Sequence, residues 1–473
     1  MKNAKALLKA LPPDRELQFT TKAMLALVWP ILIEQGLNTT IGIVNSMMVG
    51  QLGMHAISAV SLVDQVNMLF FNLFNAFAAG VTVVVSHRMG RKDRAGADDA
   101  LTQSFCLVLV FAAVLGAVLL AFNRPALRLI FGAVDENVMA ACRIYLIGSA
   151  LSYPLMAAFS VCAGAMRATG DSRTPMAAAL VSNIVNVAVG ALTIFVLQFG
   201  VTGASCAVFF ARLAAAGIVF WRIVSGRCGV HITRFTLKIK KDAIAPIFEV
   251  GIPAGIDSLI FNGGKILVAS FISSMGTSVI AANSILNNLL GFSAVPGNAF
   301  STAGVTITGR CYGARSHREA RRHLRVIPLV STVVYGLMVT VLWLMLPMLL
   351  KIYNADAQAC EHVYRVFRLM AIFGTITWSY SFVLPNCLRG VGDIRFNTVV
   401  SVASMWIFRV ALAYLLGVVL KMQLMGVWTA MLCDWGFREI CYIARMCSDR
   451  WLVRAVAHDN ALALAENLKS RAV

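Results

Sequence analysis

The stretch LVWPILIEQGLNTTIGIVN, Leu27 to Asn45, carries a carboxylate into an otherwise apolar run. Glu34, Asn38, Gly42 and Asn45 follow one another at spacings of four, four and three. They form one stripe of an α-helix, running about 16 Å along its axis. A polar stripe at membrane depth must face protein or water rather than lipid. A carboxylic acid screened from water keeps its proton to higher pH. If the affinity of such a site for a proton differs between two conformations, a proton gradient drives whatever competes for it. Glu34 is therefore a candidate cation-coupling residue. The plainer alternative is that it hydrogen-bonds a neighbouring helix and fixes packing.

Asp257, in VGIPAGIDS, is a second candidate for coupling, with Lys265 two turns further along. Asn183, Asn186, Gly190 and Thr193 make another stripe at helical spacing, and Asp64 stands in SLVDQVN. Asn38, Asn45, Asn183, Asn186, Lys265 and Asp64 are the candidate polar groups of a substrate cavity. Arg212, Arg368, Arg409 and Asp434 read equally as interfacial snorkelers or as site residues. Two kinds of chemistry drop out. NGGKI, Asn262 to Ile266, has neither the earlier spaced glycine nor the following Ser/Thr of a nucleotide-binding loop, so ATP is not the driver. The seven histidines fall in loops or at span ends, which leaves no clear intramembrane base or metal ligand. No catalytic residue, metal site or organic cofactor is expected, only H⁺ or Na⁺ as a coupling ion. The chain does not read as an enzyme.

These groups need helices in lipid to hold them. Of 473 residues, 59% are hydrophobic and 13% charged, about half the charged share of a soluble domain. Apolar runs of roughly 20 residues, the length that crosses a bilayer, recur about twelve times between residues 23 and 446. The fourth is expected at roughly 144 to 166 and the twelfth at roughly 424 to 446. The first 22 residues are polar and lack the apolar core of a signal peptide, so no cleavage is expected. Roughly thirty of the Lys and Arg residues fall in the two ends and the alternate connections, which puts both termini in the cytoplasm. The net charge of +19 is then mainly a topology signal, with membrane lipid headgroups as natural partners. The basic clusters lie in short loops rather than on a separate domain, against a nucleic-acid partner. The eleven cysteines read as small buried apolar residues.

The chain repeats itself. Pro30 in WPILIE matches Pro253 in IPAGID, 223 positions on, and the same shift takes Glu34 to Asp257, Gly53 to Gly276, Gly90 to Gly313 and Gly203 to Gly426. A shift of 222 takes RATGDSR at Arg167 to RGVGDIR at Arg389. The matches define two copies of a six-span unit, 1–232 and 233–473. Six is even, so both enter the membrane in the same direction, related by a pseudo-twofold axis along its normal. The fold class expected is all-α integral membrane, twelve helices in two six-helix lobes.

In this order, LVWPILIEQ, MMVGQLGMHAISAVSLVDQ, RMGRKDRAGADDAL, GAMRATGDSRTP, VTGAS, VGIPAGIDS and LRGVGDIRFNT resemble the multidrug and toxic compound extrusion (MATE) family over nearly the full length. The resemblance implies an exporter of the bacterial inner membrane, taken to act as a monomer, that expels amphipathic, often cationic small molecules in exchange for H⁺ or Na⁺. It also implies an aspartate on the first helix just before MMVG, tied to cation coupling; here that position is Asn45, and an amide cannot titrate. Either Glu34 takes over the charge, coupling sits at Asp257, or transport is altered. The family's first-lobe polar cluster includes the fifth helix, which points to Asn183 and Asn186. Two alternatives stand beside the drug exporter. One is a flippase for a lipid-linked precursor, favoured by a net-cationic cavity where a carboxylate-lined one favours cationic drugs. The other is a channel or receptor.

Overall fold

In hydrocarbon, a chain can satisfy its backbone N–H and C=O groups only within helices or closed barrels. The computed structural model, which describes residues 19–132, 135–232, 241–353, 355–448 and 450–453, is helical nearly throughout, with no strand among the described residues. The main helices are α1 Thr21–Gly50, α2 Met54–Gly90, α3 Arg94–Ala121, α4 Glu136–Leu151, α5 Tyr153–Thr169, α6 Arg173–Val196, α7 Val201–Val224, α8 Lys241–Ser273, α9 Thr277–Gly313, α10 His317–Ile352, α11 Ala357–Gly390, α12 Ile394–Val419 and α13 Gln423–Cys447. Among the described residues, ten helices are long and apolar enough to cross a membrane, and the α4–α5 pair makes an eleventh.

Two expected spans depart from a single apolar helix. The fourth is two helices bent by 43°, because Pro154 at the start of α5 has no N–H to continue the ladder and crowds the preceding turn. The twelfth forms the 25-residue helix α13, but Asp434, Arg438, Glu439 and Arg445 keep it from qualifying on hydropathy. Asp434, Arg438 and Arg445 are all buried, which a helix can sustain only when its charges are paired.

The chain divides into two compact units, Leu25–Gly255 and Ile256–Val473, the latter joined by the chain start up to Met24. The division falls inside α8 because its first turns pack on α2 of the N-terminal unit. There the Ile247 carbonyl lies 2.7 Å from where a Cβ on Gly80 would stand, and Phe248 meets Phe77 edge to face at 6.0 Å.

In the N-terminal unit one apolar cluster gathers Phe74, Leu101, Tyr153, Met166 and Ile223, and a second gathers Val49, Leu127, Tyr145 and Ile194. The C-terminal unit relies more on rings. Tyr335 stacks on Trp378 at 5.0 Å, and Phe382 bridges Trp378 and Trp435.

The repeated glycines have repeated reasons. Gly53 and Gly276 precede α2 and α9 with φ of 95° and 108°, a region that side chains with a Cβ rarely enter. A Cβ on Gly203 would meet the Thr193 backbone at 2.9 Å, and one on Gly426 the Leu416 backbone at 2.7 Å. Each lets the sixth span of its copy press against the end of the fifth. None of the eleven cysteines is held in a disulfide, and five of them are buried.

The step from a shift of 222 to one of 223 also has a structural cause. Both copies widen into a π-helical turn near the end of the fifth span, at Ala191–Val196 and Leu415–Val419. The second copy has an additional π-helical turn just before, Met405–Leu412, and such a turn accommodates one inserted residue.

Candidate functional site

The two acids singled out by the repeat are both gripped by arginines. Glu34, 3% exposed, receives Arg167 Nη1 on Oε1 at 2.9 Å and on Oε2 at 3.0 Å. In the C-terminal unit Arg389 donates from Nη2 to Asp257 Oδ2 at 2.8 Å and from Nη1 to the Asn386 carboxamide oxygen at 3.2 Å. Each arginine lies on the last turn of the helix ending the fourth span of its copy. A glycine at positive φ, Gly170 or Gly392, ends that turn and is succeeded by an aspartate. Asp171 caps α6 by accepting from the Thr174 N–H at 3.0 Å. Asp393 instead takes Arg445 in a two-pronged pair, 2.6 Å from Nε and 3.0 Å from Nη2. Nothing local links Glu34 to Arg167, 133 residues apart. The usable signal is that acid and arginine recur together at nearly the same shift.

Around these pairs the units differ. In the N-terminal unit Asp64, on α2, accepts from Asn67 Nδ2 at 3.0 Å and from Tyr145 Oη at 3.2 Å. Asn67 extends the network to Ser149 at 3.1 Å and to the Tyr153 hydroxyl at 3.0 Å, and Arg212 donates to Ser152 at 2.7 Å. Asn45 and Asn186 meet across a cavity of only about 10 Å³, lined also by Met48, Tyr145 and Gly190. That holds about one water, and the buried carboxamide oxygen of Asn186 is unpartnered. Asn183 is spent on its own helix, donating to the Ala179 carbonyl at 2.8 Å. Asn38 is exposed. Thus the structure gathers Asn45 with Asn186, joins Asp64 to a tyrosine–amide network that reaches the same cavity through Tyr145, and leaves Asn38 and Asn183 outside both.

In the C-terminal unit Asp434 is fully buried, taking Arg438 Nε at 3.0 Å with Arg409 Nη1 at 3.5 Å. Arg409, 7% exposed, is no snorkeler, and neither is Asp434; Arg368 by contrast is exposed. Lys265, Arg409 and Arg438 all lie against the ring of Phe261, at 5.2, 5.0 and 5.5 Å from its centroid. Lys265 and Arg409 line a cavity of about 220 Å³ together with Asn283, Asn287, Trp428 and Met431.

Among the described residues, one group has ligand atoms suited to a metal ion. Cys311, Glu319 and His323 are buried with those atoms within 4.8 Å of one another. Glu319 Oε1 also accepts the Phe19 N–H at 2.7 Å. The cluster joins the end of α9 to the first turns of α10, so no compact Cys/His spacing marks it in the sequence.

A membrane chain that is helical nearly throughout its described residues, with duplicated acid–arginine pairs and polar cavities in its helix bundles, has the build of a transporter. The MatE family profile matches residues 30–192 and again 253–415, and the chain belongs to that family of multidrug efflux transporters. A curated relative in Thermotoga maritima, "Probable multidrug resistance protein NorM", is 24% identical over 95% of this chain and 97% of its own length. The "Multidrug resistance protein PmpM" of Pseudomonas aeruginosa is 25% identical, covering 86% of this chain and 87% of its own. A crystal structure of MATE in the bent conformation superimposes with a TM-score of 0.83 at 20% identity, over 93% of this chain and 97% of that one.

Proposed function

We propose that this chain is a secondary active exporter, moving amphipathic small molecules out of the cell by alternating access in exchange for an inward-moving H⁺ or Na⁺. The observation that carries the reading is the pairing of Glu34 with Arg167 and of Asp257 with Arg389. A cation arriving at such a carboxylate competes with the guanidinium for it. One conformation is then favoured with the pair made and another with the carboxylate loaded, and this difference in affinity is what couples two fluxes. An acid held by arginine has the charge that Asn45 lacks, and Glu34 is the N-terminal unit's buried candidate. Asp257 does the same in the C-terminal unit with a pair more open to water.

The distribution of basic residues supports a plasma-membrane protein with both termini in the cytoplasm. The bacterial relatives support placing it in the inner membrane. Cationic compounds are the substrate class that the family resemblance supplies. The lipid-linked-precursor reading keeps a place because Lys265 and Arg409 make the C-terminal cavity cationic. The test is efflux of a panel of dyes and drugs from cells or proteoliposomes, with the proton and sodium gradients collapsed separately. Efflux that stops with one gradient supports antiport and names the ion. Efflux that survives loss of both contradicts it.

A further inference from the structure

The tiny N-terminal cavity and the large C-terminal one occupy the same place in their respective copies. At a shift of 223, Val49 becomes Ile272, Asn186 becomes Arg409, Ala204 becomes Val427 and Val208 becomes Met431. All eight line the two cavities. The substitutions between copies change charge. Arg409 replaces an amide, and Lys265 stands where the first copy has Gly42. The additional π-helical turn of the second copy carries Arg409.

Charge accounting at this cavity does not close. Lys265, Arg409 and Arg438 are three cations around one ring, and Asp434 is the acid that pairs with the two arginines. Arg438 is fully committed, to Asp434, to Ser404 Oγ at 2.7 Å and to the Ser401 carbonyl at 3.2 Å. Arg409 is not: Nη1 makes no hydrogen bond, and Nη2 meets only the Met431 sulfur at 2.9 Å. Lys265 forms no ion pair among the described residues and is open on the cavity side. The Asn283 carboxamide oxygen accepts the Trp428 indole N–H at 3.2 Å, which leaves its NH₂ to donate. Arg409 is buried with only a 3.5 Å contact to a carboxylate it shares with Arg438, and Lys265 is exposed; a fork-shaped guanidinium beside an ammonium suits a carboxylate or phosphate.

We propose that this cavity of the C-terminal unit is a binding site for an anionic group, a carboxylate or phosphate carried on an aromatic or amphipathic molecule, held between Lys265 and Arg409. It adds a ligand class to the exporter reading and rests on that reading only for the transport step after binding. The site is therefore tested at equilibrium, without any ion gradient.

The full-length protein in neutral detergent is titrated with phenylphosphate, and with phenyltrimethylammonium as the cation of similar size, by isothermal titration calorimetry. Phenylphosphate is expected to bind, about tenfold or more weakly in Lys265→Gln and in Arg409→Gln, as loss of a charge-assisted hydrogen bond requires. Because Arg409→Gln also disturbs the Asp434 pair, Lys265→Gln is the variant that decides if Arg409→Gln unfolds. Phenyltrimethylammonium is expected to lose nothing in Lys265→Gln. Repeating the titration in nanodiscs of phosphatidylcholine with and without phosphatidylglycerol separates the two sources. Competition by phosphatidylglycerol assigns the anion to a lipid headgroup, and its absence assigns it to a soluble molecule. No phenylphosphate binding, an affinity unchanged in both variants, or a cation that loses affinity in Lys265→Gln overturns the proposal.

Discussion

The two copies of the repeat have kept one feature and let another diverge. In both units an acid four residues after a proline on the first helix meets an arginine closing the fourth span. Glu34 is the more enclosed, 3% exposed against 20% for Asp257, with their arginines at 12% and 15%. The cavity beside the fifth helix has instead become two different environments. One has amides around about 10 Å³, and the other has the cations Lys265 and Arg409 around about 220 Å³, with Arg409 sharing its one acid, Asp434, with Arg438. A feature retained through duplication while its surroundings changed is best explained by a task both units share. The diverged cavity is where the units acquire separate ligands.

The comparison breaks most visibly if the charges of one cavity are carried into the other. Asn186→Arg places a guanidinium where there is room for one water and no acid within the lining. We expect a loss of several kcal/mol, about 3–5, seen as a collapse of the detergent melting temperature. A variant as stable as the parent would mean that the N-terminal cavity is not closed. Next comes Asp434→Asn, which removes the acid shared by Arg409 and Arg438 and leaves both buried and uncompensated. A cost of about 3 kcal/mol or more is expected, and adding Arg409→Gln should return part of it. Additive losses would show that the two residues are not coupled.

The arginines sharpen the retained half of the comparison. Arg167→Gln should cost more stability than Arg389→Gln, about 2 against about 1 kcal/mol, because it strands the more deeply buried carboxylate. Equal melting temperatures would deny that burial separates the pairs. Smallest are the paired glycines. Gly203→Ala and Gly426→Ala should each destabilise by about 1–2 kcal/mol and to similar extents, since each Cβ would strike backbone. Proteolytic or thermal stability that falls for one and not the other would show that the sixth spans do not pack alike.

Much of this architecture is legible in the chain. The shift of 223 positions, the even number of spans and the acids at Glu34 and Asp257 are all matters of spacing. The hidden part depends on packing between distant segments. RATGDSR and RGVGDIR stand out as repeated motifs, yet nothing local says that their first arginines reach acids about 130 residues upstream. Arg409 was masked by arithmetic. It matches Asn186 only at a shift of 223, whereas the nearby arginines match at 222, and the π-helical turn that reconciles them leaves no mark in hydropathy. The break in the fourth span was signalled by Pro154 in SYPLM. The charges on α13 lower its hydropathy below that of an ordinary span, and the sequence does not show that Arg409 joins Arg438 on Asp434 or that Asp393 pairs with Arg445.

The central claim is that the two acid–arginine pairs couple an inward cation to outward transport. The direct measurement is cation movement in proteoliposomes, followed by an internal pH dye and by ²²Na⁺ while a transported compound is driven down its own gradient. Wild-type protein is predicted to move one of these cations in the opposite direction. Glu34→Gln should abolish that counterflow while the protein keeps its fold and its affinity for the compound, and Asp257→Asn should reduce it less. Counterflow unchanged in Glu34→Gln and in the double variant would contradict the account.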